Sequence, residues 1–330
     1  MRSSTISIPM FLKNTRTTDT LRPGRMGEFL ARWCRASAAC ALLASLAPVQ
    51  GDTFTYQGAP IYYSVLGDGP AVVQVHGIGA GASSEQVKYQ IQALVSAGYR
   101  VYSLDLPGYG RSIGPAQLFT GPFNAAMLTA FIDQLPAGPV GMVGHSLGGT
   151  YAIAAAAARP GRVAALVLNA PVGVIAFTNE STTESAQRWQ NFVTSPAGAR
   201  LYEALGSWRN IKQFCVDLLY VDESFCGAPT VQDYYQYTQV PESIYGAAAF
   251  LTGNLGLNVR DEFAGLTQSI LLVYGAQNRL TSINEMNEFL RLNARARLTV
   301  IEQAGPIAND EKSAEFNQLM LAELAALRRR

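Results

Sequence analysis

The sequence predicts an α/β protein in which a mostly parallel central sheet is covered by helices on both faces. Two observations lead to this expectation. Short apolar runs alternate along the chain with stretches in which apolar residues recur at helical spacing. The chain has 330 residues, of which 48% are hydrophobic, and this is enough for one large buried core. Alternating strands and helices are typical of parallel sheets, because each connection must cross over one face of the sheet.

The first part of the body, residues 52–173, is predicted to contain most of the strands. Two strands joined by a turn are expected over 54–69. Further apolar runs predict strands over 71–75, 99–106, 139–144 and 163–171. Helical spacing, in two cases stopped by glycine or by Pro-Gly, predicts helices over 85–98, 122–135 and 147–159.

Residues 174–259 interrupt this alternation and predict a helical insertion. They contain 13 of the 32 Phe, Trp and Tyr residues of the chain and no apolar run that resembles a buried strand. We expect this insertion to form a lid over the strand ends. Its aromatic residues are expected either to line a pocket or to pack within the lid, namely Trp189, Trp208, Tyr234, Tyr235 and Tyr237. Residues 260–330 return to the core, with strands predicted over 269–275 and 297–303, each followed by an amphipathic helix.

Residues 1–51 predict an export leader. Two arginines precede the apolar run 36–48, which is the order of charged and apolar regions in a signal peptide. The run is shorter than the roughly 20 apolar residues that span a bilayer, so no stable membrane span is expected in the mature chain. Met26 is an alternative start that gives a signal of ordinary length. Export would place the protein in the periplasm or outside the cell. An organelle transit peptide is the alternative, because residues 2–25 are rich in Ser, Thr and Arg and poor in acids.

Charge and residue usage restrict the expected partners. The first 50 residues hold seven basic and two acidic residues, and the remaining 280 hold 18 basic and 22 acidic ones. A mildly acidic body without a basic stripe argues against nucleic acid as a partner. The two histidines and the two cysteines of the body do not have the spacing of a metal site, so neither a metal nor another cofactor is expected. Cys215 and Cys226 either form a disulfide, worth about 3 kcal/mol, or remain buried thiols.

Ser146 is predicted to be a nucleophile. It lies in the sequence GHSLGG, between a predicted strand and a predicted helix. Gly144 and Gly148 leave room for a sharp turn, which lifts the serine hydroxyl above the sheet. The N–H of Leu147 is expected to point toward the same space, at a helix N-terminus that favours negative charge.

Together with two further motifs, this segment resembles the α/β-hydrolase superfamily, in particular its serine esterase and haloperoxidase branch. HGIG at 76–79 is similar to the family's oxyanion loop, which implies that Ile78 supplies the second N–H donor. LDLPGYGRS at 104–112 is similar to the family segment D-x-P-G-x-G-x-S. The resemblance extends over roughly residues 54–327 and implies an α/β-hydrolase fold that acts on a small apolar ester or carbonyl compound.

Two positions depart from the family pattern. After the strand at 269–275 the family reads G-x-x-D, whereas this chain reads GAQN and has Asn278 at the aspartate position. After the strand at 297–303 the family reads G-H-x-x-x-x-E-x-P-x-x-F-N, whereas this chain reads GPIANDEKSAEFN and has Pro306 at the histidine position. No histidine follows residue 145. The resemblance therefore implies a nucleophile and an oxyanion hole with a degenerate triad.

Other residues remain as candidates for a general base. The family places the side chain equivalent to His145 away from the pocket and uses the one equivalent to His76 structurally. Three carboxylates lie near the lost histidine in sequence and are expected to be either solvated charges or bases with a raised pKa, namely Glu302, Asp310 and Glu311. Asp105 and Arg111 are expected to hold the loop after their strand.

Three functional hypotheses follow from the sequence. The first is a serine-hydrolase-like enzyme that uses Ser146 with a substitute base or none. The second is an inactive protein that binds an apolar ligand beneath the lid. The third is a lyase or cyclase that reuses the same pocket without adding water.

Overall fold

A computed structural model describes residues 50–179 and 184–329 of the chain. The leader predicted over residues 1–51 lies almost entirely outside the described residues. Only its last two residues are described, and they belong to the first strand, which begins at Gln50. The prediction of export therefore concerns residues that the structure does not describe.

The described residues form an eight-stranded sheet, which confirms the predicted fold class. The strands are β1 (Gln50–Tyr56), β2 (Ala59–Leu66), β3 (Ala71–Val75), β4 (Arg100–Leu104), β5 (Val140–His145), β6 (Val163–Asn169), β7 (Ser269–Gly275) and β8 (Ala296–Ile301). Their order across the sheet is β1-β2-β4-β3-β5-β6-β7-β8. The β1–β2 and β2–β4 pairs are antiparallel, and all the other neighbours are parallel.

Helices connect the strands and form the inserted segment. The core helices are α1 (Lys88–Ser96), α2 (Gly121–Gln134) and α3 (Leu147–Ala158). Between β6 and β7 follow α4 (Glu184–Val193), α5 (Pro196–Leu205), α6 (Trp208–Phe214), α7 (Ala228–Thr238), α8 (Ser243–Leu251) and α9 (Arg260–Gly265). The chain ends with α10 (Ile283–Leu292), α11 (Ala308–Glu311) and α12 (Ser313–Leu324). None of the helices in the described part has the length and apolar content needed to cross a bilayer.

The central strands β3, β5, β6 and β7 are buried on both faces, which explains their nearly continuous apolar runs. Successive side chains of a strand point to opposite faces. In β3, Val73 belongs to the core formed with α2, α3 and α10, whereas Val72 belongs to the core formed with α1 and α12. In β7, Leu272 and Leu271 divide between the same two cores. The parallel strands therefore carry apolar residues at successive positions rather than at every second one.

The insertion predicted over 174–259 is helical in its described part, which contains no strand. Cys215 and Cys226 form a disulfide with their Cα atoms 5.8 Å apart. Of the two expectations for these cysteines, the disulfide is therefore confirmed and the pair of buried thiols is wrong. Around the disulfide, the insertion has an apolar cluster of its own that also includes Ile307 of the core. The disulfide thus holds together the part of the insertion that contacts the second half of the core.

A buried carboxylate on α10 holds the start of the insertion. Glu285 is 2% exposed. Its carboxylate accepts hydrogen bonds from the backbone N–H groups of Val174 (2.9 Å), Ile175 (3.1 Å) and Ala176 (3.0 Å). A charged acceptor that bonds several buried amides stabilises the loop that carries them, because each amide would otherwise lose its partner.

Candidate active site

Ser146 lies at a strained turn between β5 and α3. Its φ of 50° and ψ of −126° are unusual for a residue with a side chain, and such strain costs about 1–3 kcal/mol. The Ser146 N–H donates to the Asn169 carbonyl at the end of β6 (2.9 Å), which holds the turn against the neighbouring strand. The Ser146 hydroxyl makes no hydrogen bond to any other described residue. The turn therefore presents a free hydroxyl at the carboxyl edge of the sheet.

The glycines around Ser146 are required by close backbone contacts. A Cβ atom on Gly144 would lie 2.6 Å from the Gly149 Cα atom. A Cβ atom on Gly148 would lie 2.2 Å from the His76 carbonyl oxygen. The first turn of α3 thus packs directly on the backbone that follows β3, which explains the G-x-S-x-G spacing physically.

Two backbone N–H groups are available beside Ser146. Leu147 is the first residue of α3, so its N–H has no acceptor within the helix. The N–H of Ile78 likewise has no acceptor among residues 50–179 and 184–329. The loop that carries Ile78 is fixed by the N–H of Gly77, which donates to Gln86 Oε1 (2.9 Å).

His76 is a structural residue of this loop. It is fully buried, its Nδ1 lies 2.6 Å from the Gly77 carbonyl oxygen, and its Nε2 accepts from the Leu106 N–H (2.8 Å). The proton therefore lies on Nδ1, and both ring nitrogens are occupied. Burial lowers the pKa of His76, so the ring is neutral at neutral pH. No lone pair remains to take a proton from Ser146.

Asp105 and Arg111 hold the loop after β4, as expected. The Asp105 side chain is fully buried and accepts from the Ser84 N–H (2.7 Å), the Arg111 N–H (2.8 Å) and Arg111 Nε (2.7 Å). Burial alone would raise the pKa of Asp105, but the hydrogen bonds and charge of Arg111 outweigh it and lower the pKa. The Asp105 carboxylate therefore stabilises the folded state fully at pH values above the ordinary pKa of an aspartate, about 4. This stabilisation is lost as pH falls through the lower pKa that Asp105 has in the folded state.

We expect Asp105→Asn to lower the free energy of unfolding by about 3 kcal/mol at neutral pH, because it removes the buried carboxylate that bonds Arg111 and leaves only the more distant Glu85, at 3.8 Å, as its charged partner. Urea unfolding at pH 7 measures this loss. Asp133→Asn is the matched control, since the Asp133–Arg159 pair is 43% and 44% exposed and solvent screens it. Equal losses in the two variants would contradict the structural role of Asp105.

Four of the five site residues predicted from the sequence line one small cleft, and the fifth, Leu147, follows Ser146 directly in the chain. Ser146, Ile78, Asn278 and Pro306 all line it, and its cavity volume is about 40 Å³. This is room for only a few water-sized groups. The remaining walls are mostly apolar and come from both core and insertion: Gly79, Gln86, His145, Ala170, Phe214, Leu219, Tyr234, Leu280, Thr281 and Ile307.

Asn278 caps the turn after β7 and leaves one polar atom without a partner. Its Oδ1 accepts from the N–H groups of Leu280 (2.8 Å) and Thr281 (2.9 Å). Its Nδ2 is buried and makes no hydrogen bond to the described residues. On the other side of the cleft, Pro306 follows β8, and its carbonyl accepts from Asn169 Nδ2 (3.2 Å). The two departures from the family pattern therefore lie in the same cleft as Ser146.

His145 also lines this cleft, in contrast to the expectation that its side chain points away from the pocket. The ring is 7% exposed and packs against the loop at Gly77, which has no side chain to displace it. Its Nδ1 lies 3.0 Å from Asn169 Nδ2. Burial lowers the pKa of His145 to about 4, although a hydrogen bond with the Asn169 backbone opposes this shift; the nearby His76 adds a smaller lowering contribution. His145 is therefore neutral at neutral pH.

Two of the three carboxylates near Pro306 in sequence are buried, so for them the expectation of a solvated charge is wrong. Glu302 is exposed, whereas Asp310 and Glu311 are each 6% exposed. Glu311 accepts three backbone N–H groups, which occupies it structurally. Asp310 accepts from the Tyr220 hydroxyl, and burial raises its pKa. Asp310 is not among the residues that line the cleft of Ser146.

Of the five aromatic residues expected to line a pocket or to pack in the insertion, only Tyr234 reaches this cleft. Trp189 is 56% exposed, and Trp208 packs edge-on against Tyr235 with ring centroids 5.4 Å apart. Sequence reasoning missed Phe214 and Leu219, which line the cleft instead. Phe214 ends α6 and Leu219 ends the π-helical turn Cys215–Leu219 that follows it, and no sequence signal predicts that turn.

The described residues contain no group of three or more His, Cys, Asp or Glu side chains arranged to hold a metal ion. The polar groups around Ser146 are instead the two backbone amides and the polar side chains that line the cleft: Gln86, His145, Tyr234, Asn278 and Thr281. This set can donate hydrogen bonds to a carbonyl oxygen. It offers no evident strong base.

Comparison with known protein families and sequences agrees with the fold described above. A model of the family described as alpha/beta hydrolase fold matches residues 70–313. The 2-hydroxy-6-oxo-6-phenylhexa-2,4-dienoate hydrolase of Comamonas testosteroni is 27% identical over 270 residues, which cover 79% of this chain and 90% of that protein.

Solved structures agree in fold. A meta-cleavage product hydrolase from Pseudomonas fluorescens IP01 has a TM-score of 0.67 at 21% identity, covering 84% of this chain and 98% of that one. An esterase from Exiguobacterium antarcticum has a TM-score of 0.66 at 21% identity, covering 84% of this chain and 100% of that one.

Proposed function

The chain belongs to the α/β-hydrolase fold family, and we propose that it acts on a small apolar ester or carbonyl compound with Ser146 as the nucleophile. The observation that carries this proposal is the strained turn, which presents a free serine hydroxyl beside the unpaired N–H groups of Ile78 and Leu147. In the proposed reaction Ser146 Oγ bonds to the carbonyl carbon and its proton passes to solvent water, while the two amides form the oxyanion hole that stabilises the charge on the carbonyl oxygen. The leaving alcohol takes a proton from water, and a second water then hydrolyses the acyl-serine to release the acid.

The proposed chemistry proceeds without the family's histidine. We infer that Asn278 and Pro306 occupy the acid and base positions of the triad, because they follow β7 and β8 and line the cleft of Ser146. Loss of the base in a serine protease costs roughly a millionfold in turnover, while about 10³–10⁴-fold acceleration over water survives. The protein is therefore expected to be a slow catalyst that favours reactive, small carbonyl compounds.

The size and lining of the cleft support this substrate class. A cavity of about 40 Å³ with mostly apolar walls suits a short acyl group better than a long or charged one. The names of the relatives, a dienoate hydrolase and an esterase, agree with attack on a carbonyl carbon.

We expect the wild-type chain to hydrolyse 4-nitrophenyl acetate about 10-fold faster than Ser146→Ala, because the variant keeps the oxyanion hole but loses the nucleophile. The rates are measured between pH 6 and 9. Ser96→Ala serves as the matched control, because Ser96 is exposed at the end of α1 and does not line the cleft. A fluorophosphonate probe should label wild type and Ser96→Ala but not Ser146→Ala.

A second candidate function is ligand binding without turnover. It is favoured by Pro306 at the proposed base position and by the engagement of both histidines in hydrogen bonds. Equal rates for wild type and Ser146→Ala, absence of probe labelling, and saturable binding of a short-chain ester would support this alternative against the hydrolytic one.

We also propose that the mature protein is exported. The disulfide between Cys215 and Cys226 supports this, because disulfides persist mainly in oxidising compartments. Fractionation of cells that express the full chain, with detection of cleavage after the apolar run 36–48, tests the proposal. A full-length product that stays in a reducing compartment would contradict it.

A further inference from the structure

The first three helices of the insertion expose large apolar side chains. In the described part of the chain, five of the twelve exposed large apolar residues lie between residues 189 and 208. Single exposed apolar residues need no explanation, but such a concentration on consecutive helices is typical of an interaction surface. The five are Trp189 (56% exposed) and Phe192 (41%) on α4, Leu201 (46%) and Leu205 (55%) on α5, and Trp208 (36%) on α6.

The folded insertion leaves these side chains exposed although it buries other side chains of the same helices. Val193 of α4 belongs to a buried apolar cluster with Ile244 and Ala248 of α8. On α5, the Tyr202 hydroxyl lies 3.0 Å from the Ser243 hydroxyl at the start of α8. Both helices are thus attached to the rest of the insertion by one side, and their exposed apolar residues are not part of that attachment.

The exposed residues of α4 and α5 are close neighbours. Trp189 and Phe192 are one turn apart on α4, and their rings meet edge-on with centroids 5.5 Å apart. Leu201 and Leu205 are likewise one turn apart on α5. A Cβ atom on Gly198, in the first turn of α5, would lie 2.1 Å from the Phe192 carbonyl oxygen, so the start of α5 packs directly on the end of α4. Two helices in direct contact therefore carry these four side chains.

The same helices are the basic part of an otherwise acidic chain body. Residues 184–214 hold four basic and two acidic residues, whereas the rest of residues 51–330 hold 14 basic and 20 acidic ones. Glu184 pairs with Arg188 (3.1 Å). Helices that combine Trp, Phe and Leu with basic residues are typical of segments that lie on an anionic lipid surface. All four basic residues are exposed: Arg188, Arg200, Arg209 and Lys212.

This charge favours a lipid surface over a second copy of the chain as the partner. In a symmetric pair the same surface of both copies meets itself, so the basic side chains would approach and repel each other. The phosphate groups of anionic lipids instead attract basic residues. Tryptophan also suits the boundary between water and acyl chains, because its ring is apolar and its N–H can bond to a headgroup.

We propose that α4, α5 and α6 form a docking surface for an anionic lipid bilayer. The exposed apolar side chains enter the boundary between headgroups and acyl chains, and the basic side chains bind the headgroup phosphates. The contact is peripheral and requires no membrane span. Helix α6 ends at Phe214, which lines the cleft of Ser146, so a docked insertion holds this cleft close to the bilayer. The docking itself does not depend on the proposed function.

Tryptophan fluorescence tests the docking directly. The residues from Val49 onward form one compact unit, so they can be studied without the apolar run of the leader. Their only tryptophans are Trp189 and Trp208, so both reporters lie on the proposed surface. Vesicles of equal parts phosphatidylcholine and phosphatidylglycerol should shift the emission to shorter wavelength, and brominated acyl chains should quench it. Emission that these vesicles leave unchanged would overturn the proposal.

Substitutions separate the apolar contribution from the charged one in sedimentation with the same vesicles. Trp189→Ser combined with Phe192→Ser should weaken binding at least about 10-fold, because apolar contact area is lost. Arg200→Gln combined with Arg209→Gln should also weaken binding about 10-fold, but only to vesicles that contain phosphatidylglycerol. The matched control replaces two exposed apolar residues outside the insertion and should bind as wild type: Tyr89→Ser with Val300→Ser.

Two further measurements exclude other partners for this surface. Ser146→Ala should bind the vesicles as wild type does, and a loss of binding in this variant would show that lipid enters the cleft as a substrate rather than docking on the helices. Light scattering without lipid measures self-association. A dimer that Trp189→Ser with Phe192→Ser dissociates, together with no binding to vesicles, would assign the surface to a second copy and overturn the proposal.

Discussion

Combining Asn278→Asp with Pro306→His is expected to raise kcat for a short-chain ester at least about 100-fold over wild type, since a positioned general base contributes about 10²–10⁴-fold. In the structure both positions line the cleft of Ser146. Asn278 already uses Oδ1 to cap the following turn, and Asp at this position retains that cap. Its second oxygen would then replace the buried, unpartnered Nδ2 and accept a hydrogen bond from an imidazole at 306.

The two single variants are the controls for this gain. Asn278→Asp alone lacks a base, and Pro306→His alone lacks the carboxylate that orients and stabilises the imidazolium. Residues that act as a unit are strongly non-additive, so the double variant should exceed the product of the single effects. Adding Ser146→Ala should abolish the gain. A folded double variant with wild-type kcat would show that positions 278 and 306 are not the acid and base positions.

The strands were predictable because each one is defined by local sequence. The runs at 71–75 and 269–275 match β3 and β7 in both bounds. Burial on both faces makes such a strand apolar at nearly every position, so composition alone predicts it. Helix starts were less well defined: the pattern over 85–98 corresponds to a short helical turn at Ser84–Val87 followed by α1. Local sequence does not fix where one helix type passes into the other.

Only those parts of the candidate site that depend on residues adjacent in the chain could be predicted from the sequence. The strained turn at Ser146 depends on neighbouring glycines, and these are visible in the sequence. The roles of His145 and Asp310 depend on burial by distant parts of the chain: Asn169 for the former and Tyr220 for the latter. An acidic residue near a chain end resembles a surface charge until the insertion folds over it. Spacing in the sequence carries no information about that contact.

Among contacts between residues distant in the chain, those of Glu311 are expected to contribute most to stability. Its Oε1 accepts from the N–H groups of Val221 (2.8 Å) and Asp222 (2.7 Å) in the insertion, and its Oε2 accepts from the Gly305 N–H (2.7 Å) in the core. Glu311→Gln places an amide NH₂ against at least one of these donors. An unsatisfied buried group costs about 1–3 kcal/mol, and charged hydrogen bonds are worth about 1.5–3 kcal/mol, so we expect a loss of about 3 kcal/mol.

The loss of this carboxylate should also be visible in dynamics and in substrate binding. Hydrogen exchange at Val221 and Asp222 is expected to accelerate, because their acceptor is lost while the sheet stays folded. KM should rise, since Leu219, two residues before Val221, lines the cleft of Ser146. Glu302→Gln is the matched control, because Glu302 is exposed and should change stability by less than about 0.5 kcal/mol. Unchanged exchange at both amides in Glu311→Gln would show that another contact holds the insertion to the core.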